Sequence, residues 1–138
     1  MRAVDTNIIV RYLARDDAEQ FALAQAILSS GPVFIGVTVV LETCWVIERV
    51  YRRSVADTVA LVRAVLGLPS MIVEDAVSVA NALAWAEAGL DIADAIHLAR
   101  SADCADFATF DATLAKRSKD LSAVPVVLLD GGAWSSTR

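Results

Sequence analysis

The sequence predicts an α/β fold in which a parallel sheet is covered by helices on both faces. Two observations carry that prediction. Short β-branched or apolar runs alternate with helical segments along the whole chain, and the helical segments open on residues whose side chains can cap them. The length of 138 residues suits one domain, large enough for a sizeable core and too small to divide in two.

Arg2-Ala3-Val4 is a short apolar strand ending at Asp5, and Ile8, Ile9, Tyr12 and Leu13 then recur at helical spacing from Thr6 to Ala14. Asp16-Asp17-Ala18-Glu19 has the acceptor and the glutamate of a capping box, opening a helix that Gly31-Pro32 closes. Residues 33–37 are a β-branched and aromatic strand, and Thr38 is the expected cap of a helix running to Arg53. Ser54 starts another helix, stopped near Gly67 and Pro69. Residues 70–73 suit a third strand, with Asp75 capping a helix through Ala88 that Gly89 breaks. Asp91 caps the next helix, through Ala102. Residues 106–110 form a strand, Asp111 caps a short helix, and residues 124–129 are a final buried strand. One domain over residues 1–130 is expected, followed by a loose tail over 131–138 in which Trp134 can act as a pin.

Hydrophobic residues make up 57% of the chain, yet charges or turn residues interrupt every apolar stretch before the roughly 18 residues of a membrane span. A soluble cytoplasmic protein is expected, since the N-terminus enters structure without the apolar region of a secretory signal. Cys44 and Cys104 are far apart and form no C-x-x-C pair, so both are expected as buried, reduced thiols. A net charge of −5 argues against gripping nucleic acid by bulk electrostatics. A polyanionic substrate would need bound metal to invert the local charge.

In open α/β sheets ligands sit at the carboxyl ends of strands. Asp5 and Asp111 both stand there, each after an apolar strand and each at the start of a helix, so either is a ligand candidate or simply an N-cap. Glu42 lies in the apolar helix 37–47, where a charge needs a partner; alternatively, Glu42, Arg49 and Arg53 form a solvent-facing stripe at i, i+7 and i+11. The two readings are compatible, because a glutamate at a metal with arginines further along would track a phosphate backbone. Asp91, Asp94 and His97 follow one another at i+3 steps on one helix face. Asp91 reads as the cap and Asp94 as the ligand, while His97, the only histidine, is expected to be a half-buried, hydrogen-bonded residue behind the site.

Four carboxylates with no Cys or His set select a hard cation, Mg²⁺ or Mn²⁺. Such ions can activate water and stabilise the attacking and leaving oxygens of a phosphoryl displacement. No phosphate-binding G-x-x-x-x-G-K-[ST] loop, G-x-G-x-x-G, G-x-S-x-G or H-E-x-x-H occurs. An aspartyl-phosphate phosphotransferase would need a second acid two residues after Asp5, where Asn7 stands.

Four segments together resemble the PIN domain, in particular the toxins of VapBC-type toxin-antitoxin modules: Val4-Asp5-Thr6-Asn7; Glu42 in the long helix after the second strand; the run from Gly89 to Ala99 that holds Asp91, Asp94 and His97; and Thr109-Phe110-Asp111. Order and spacing agree along nearly the whole chain. The resemblance implies a three-layer α/β/α sandwich and a metal-dependent endoribonuclease whose acidic quartet is Asp5, Glu42, Asp94 and Asp111. It further implies supporting roles for Thr6, Asn7, Asp91 and Thr109, restraint by a VapB-like antitoxin protein, and a homodimer within a hetero-oligomer. Asp5, Asp94 and Asp111 are expected to ligate metal directly, with Glu42 ligating or holding a metal-bound water. Attack of that water on an RNA phosphodiester would leave 5′-phosphate and 3′-hydroxyl ends. Candidates for gripping RNA are Arg11, Arg49 and Arg53, with Arg15, Arg52, Lys116 and Arg117 behind them. Rival readings are a non-catalytic RNA- or protein-binding module, a metal-dependent phosphatase and a DNA nuclease.

Overall fold

Local chemistry sets most of the helix starts. In the computed structural model, which describes residues 1–122 and 124–129, strand β1 (Arg2–Ala3) leads through Asp5 into helix α1 (Thr6–Ala14), and Asp17 caps α2 (Ala18–Leu28) by accepting from the Gln20 amide at 3.0 Å. Ser54 caps α4 (Val55–Leu66), accepting from the Asp57 amide at 3.1 Å. Between them lie β2 (Val33–Ile35) and α3 (Val37–Arg49); after them come β3 (Met71–Val73), α5 (Ala76–Glu87), α6 (Ile92–Ala99), β4 (Phe107–Thr109), α7 (Ala112–Ser118) and β5 (Val126–Leu128).

Every strand pairing is parallel, as expected of alternating strands and helices. The described strands form two hydrogen-bonded groups, a three-stranded sheet in the order β1-β2-β3 and a two-stranded sheet of β4 and β5. Asp5 and Asp111 thus leave strands of different sheets rather than neighbours in one ladder. Central β2 is the most enclosed, with Val33 and Ile35 essentially without solvent contact. Around it Ile9, Leu28, Val40, Val59, Val62 and Leu98 form the core. Helix α1 packs on α2 and α3, α3 on α4 and α6, and α5 along α6. No helix among the described residues is long and apolar enough to cross a membrane.

Several boundaries differ from the sequence reading, among them the end of α6 at Ala99 rather than Ala102. Thr38 does not cap α3; Gly36 occupies that position without a side chain, and Glu74, arriving after β3, accepts from the Val37 amide at 2.9 Å through Oε1. Helix α3 ends at Arg49, because the Tyr51 and Arg53 amides turn back to the Val46 and Ile47 carbonyls and Arg52 adopts φ 55°. Arg53 therefore does not continue the Glu42–Arg49 stripe. Asp75 precedes α5 in a left-handed conformation and does not cap it; its carboxylate faces Arg100 at 4.0 Å. The proposed tail 131–138, Trp134 included, lies outside the described residues.

Candidate active site

Asp5 stands where β1 gives way to α1, exposed, with Oδ1 accepting from the Ile8 amide at 3.4 Å. A carboxylate has two oxygens. The cap engages one, so capping and metal ligation are compatible at this residue, and the choice left open by its position dissolves. The next residue, Thr6, is buried, and its hydroxyl donates to Glu42 Oε1 across the α1–α3 interface. Glu42 is exposed rather than sunk in the apolar helix, and Thr6 is a partner for its charge.

A second acidic group forms around the N-terminus of α6. Asp91 caps α6 through Oδ2, accepting from the Ala93 and Asp94 amides at 3.1 and 3.2 Å. Burial, followed by the neighbouring charges of Asp91 and Asp111, pushes the Asp94 carboxyl above the usual carboxylate range, with His97 opposing the rise. Negative charge from two separate chain segments thus reaches Asp94. Asp111 caps α7 through Oδ1, accepting from the Leu114 amide at 3.0 Å, while its own amide donates to Thr109 Oγ1 at 3.0 Å. Arg117 holds the two segments together, donating from Nη1 to the Gly89 carbonyl at 2.9 Å. Gly89 reaches the required turn at φ 115°, a conformation closed to most other residues.

Glu48, which the sequence reading passed over, extends this group. Half-buried on α3, its carboxyl is raised first by burial and then by the charge of Asp91, with Arg49 opposing. Its signal in the sequence was the spacing of two i+3 steps from Glu42. The candidate acids therefore form two sets bridged by α3: Asp5 and Glu42, with the Thr6 hydroxyl between them, on one side, and Glu48, Asp91, Asp94 and Asp111 on the other.

Other expected residues stand apart. Asn7 lines a shallow groove between α1 and α2 with Ile8, Arg11 and Leu23. Arg11 pairs with Asp16 at 3.3 Å, and Asp16 also accepts from the Tyr51 hydroxyl at 3.1 Å. Arg15 lies over the ring of Phe21, 4.8 Å from its centroid. Arg53 lines a different shallow groove with Leu13, Asp57 and Leu61. Arg49 remains exposed on α3 beside Glu48. Contrary to expectation, His97 is exposed, and of the two thiols only Cys44 is buried.

The profile of the PIN domain matches residues 2–120. The chain belongs to the PIN domain family. PIN domains are typically metal-dependent nucleases and commonly bind nucleic acid, and some pair with antitoxins. No curated protein matches the chain.

Whether these residues suit a divalent cation is decided by donor type, charge and reach. The donors are carboxylates and a hydroxyl, the oxygen set that Mg²⁺ and Mn²⁺ prefer. The crowding of negative charge at Asp94 is what a cation would relieve. Reach is the incomplete part: among the described residues no three His, Cys, Asp or Glu side chains are gathered closely enough to share one ion. Asp5 and Asp111 are exposed, so their side chains have room to turn inward. The candidate residues fit a divalent cation in chemistry and charge, with their side chains drawn apart.

Proposed function

We propose that this PIN protein is a Mg²⁺- or Mn²⁺-dependent endoribonuclease, the toxin of a toxin-antitoxin module, acting in the cytoplasm as one nuclease domain over residues 1–130. The observation that carries the reading is the half-buried Asp94 of a PIN domain, which feels the negative charge of both Asp91 and Asp111. Such like-charge crowding is costly in a fold that could have used neutral caps, and it suits a site built to take up positive charge.

In this reading Asp5, Glu42, Asp94 and Asp111 hold the cation. When bound, it neutralises phosphate charge and activates water for in-line attack on the phosphodiester. Thr6 fixes the orientation of the Glu42 carboxylate, and Thr109 fixes the backbone at Asp111. Asp91 anchors the first turn of α6 and adds negative charge beside Asp94. Arg49 is the best placed of the basic candidates to meet a phosphate. A homodimer, and a hetero-oligomer with a VapB-like antitoxin, complete the proposal on family grounds.

The separation of the acids favours a second reading, a non-catalytic PIN-like module that binds RNA or protein. Incubating total cellular RNA with the purified protein and Mg²⁺ or Mn²⁺ decides between them, beside an EDTA control and folded Asp5→Asn and Asp94→Asn variants. Discrete cuts with 5′-phosphate and 3′-hydroxyl ends, lost with EDTA and in both variants, are the expected result. Full activity in either variant would sink the assignment, and an inactive but metal-binding wild type would favour the binding module.

A further inference from the structure

Aromatic side chains are distributed unevenly over the surface. Among the described residues Tyr12, Phe21, Phe34, Tyr51, Trp85 and Phe107 are each partly buried. Trp45 and Phe110 differ, at 52% and 79% exposed. Both adjoin the acidic site. Phe110 lies between Thr109, whose hydroxyl accepts from the Asp111 amide, and Asp111 itself. It follows β4 directly and precedes Asp111, the cap of α7, so this exposed ring is the chain neighbour of the Asp111 carboxylate.

Trp45 is placed by helix geometry. Successive i+3 steps on an α-helix turn each side chain by about 60° and raise it by about 4.5 Å. Glu42, Trp45 and Glu48 are two such steps, so Trp45 falls between the two glutamates both in height and around the helix. Glu42 is tied through Thr6 to the Asp5 end of the site, and Glu48 feels the charge of Asp91 at the other end. The indole is thus framed by the two halves of the acidic site, with the exposed Arg49 one turn further along. An apolar ring flanked by carboxylates gains nothing from water. A nucleobase offers it a flat π-face, and aromatic stacking is the usual means of holding unpaired bases independently of their sequence.

We propose that Trp45 and Phe110 are base platforms, stacking on unpaired nucleotides on either side of the phosphodiester held at the acidic site. This assignment rests on the nuclease reading for the identity of its substrate. The two rings fix the strand while the acids deal with the phosphate, which explains how a chain of net charge −5 can hold RNA with few basic contacts.

The test uses the full-length protein in an Asp5→Asn background, with a fluorescein-labelled ten-nucleotide RNA, either unpaired or annealed to its complement. Binding is read by anisotropy, folding by circular dichroism and assembly state by sedimentation. Trp45→Ala and Phe110→Ala should each weaken binding of the unpaired strand at least about fivefold. Trp45→Phe and Phe110→Tyr should retain most of it, and Phe110→Leu, apolar but without a ring, should behave like the alanine variant. The proposal is overturned if the alanine variants bind as tightly as their parent, if leucine serves as well as phenylalanine, or if the parent binds no RNA. It is equally overturned if loss of binding accompanies dissociation of a dimer, because the rings would then belong to a contact between copies. Cutting by the wild type is scored separately. Failure to cut with ring-dependent binding intact would sink the nuclease and leave the platforms standing.

Discussion

At the scale of single residues, the proposed function gives the acids at the carboxyl ends of β1 and β4 two jobs, capping and cation binding, and the jobs can be separated. Asparagine caps a helix about as well as aspartate but is a far poorer cation ligand. Asp111→Asn should therefore keep the stability of α7 within about 0.5 kcal/mol while lowering RNA cutting by more than about a hundredfold, beyond the range typical of residues that merely support a metal ligand. Urea denaturation and single-turnover cleavage of one RNA check the two halves. Thr6 is such a supporting residue, since its hydroxyl touches Glu42 alone of the acids. Thr6→Val should cost about 10- to 100-fold in activity or metal affinity, read by metal titration. A different chemistry governs the thiols. Burial pushes Cys44 up to about 12, with the charge of Glu48 adding to the rise, whereas Cys104 is exposed. At pH 8 the Cys44 thiol stays protonated and enclosed, so a thiol-specific reagent should label one cysteine in the native protein and two after unfolding. Rapid labelling of both in the native state would contradict that burial.

At the scale of elements, the start of α3 is the least self-sufficient feature. Gly36 has no side chain to accept from the first-turn amides, so the Glu74 carboxylate does it from the adjacent end of the neighbouring strand β3. Glu74→Ala should destabilise the protein by about 1 kcal/mol in urea unfolding, the usual worth of a lost N-cap. A serine at position 36 has room, since a Cβ there would meet Glu74 Oε1 only at 3.7 Å, and Gly36→Ser should restore part of the loss. The same element shows what could be read from sequence. The caps at Asp5, Ser54, Asp91 and Asp111 were legible because acceptor and amide lie two or three residues apart, whereas the capping box that ends on Glu19 implies Asp16 and the cap of α2 falls one residue later, at Asp17. The Glu74 cap was not, because its partners are 37 residues apart and only the β2–β3 pairing brings them together. Likewise no glycine or proline marks the end of α3; a left-handed Arg52, stabilised by tertiary context, ends it near Arg49. Of the candidate site, the acids themselves were legible from their order along the chain. Glu48 was not, because its partner Asp91 comes from another helix, and neither was the exposure of Trp45 and Phe110, since aromatic residues in apolar runs read as core.

At the scale of the molecule, charge decides how the RNA of the proposed function would be held. Of the 12 basic side chains, Arg11, Arg63 and Arg100 face Asp16, Glu87 and Asp75, Arg117 donates to the Gly89 carbonyl, and Arg15 lies over aromatic rings. With these engaged in contacts at the surface and a net charge of −5, few phosphates can be neutralised by the protein itself. For a single strand, the logarithm of the binding constant falls with the logarithm of salt at roughly −0.7 per phosphate neutralised. Three or four contacts, Arg49 among them, would give a slope of about −2 to −3. The expected behaviour of the Asp5→Asn protein is thus a shallow salt dependence together with a strong dependence on divalent cation through the remaining acids. A slope steeper than about −5, unchanged by EDTA, would mean that a basic surface carries the RNA and that the acidic site is not where the strand is gripped.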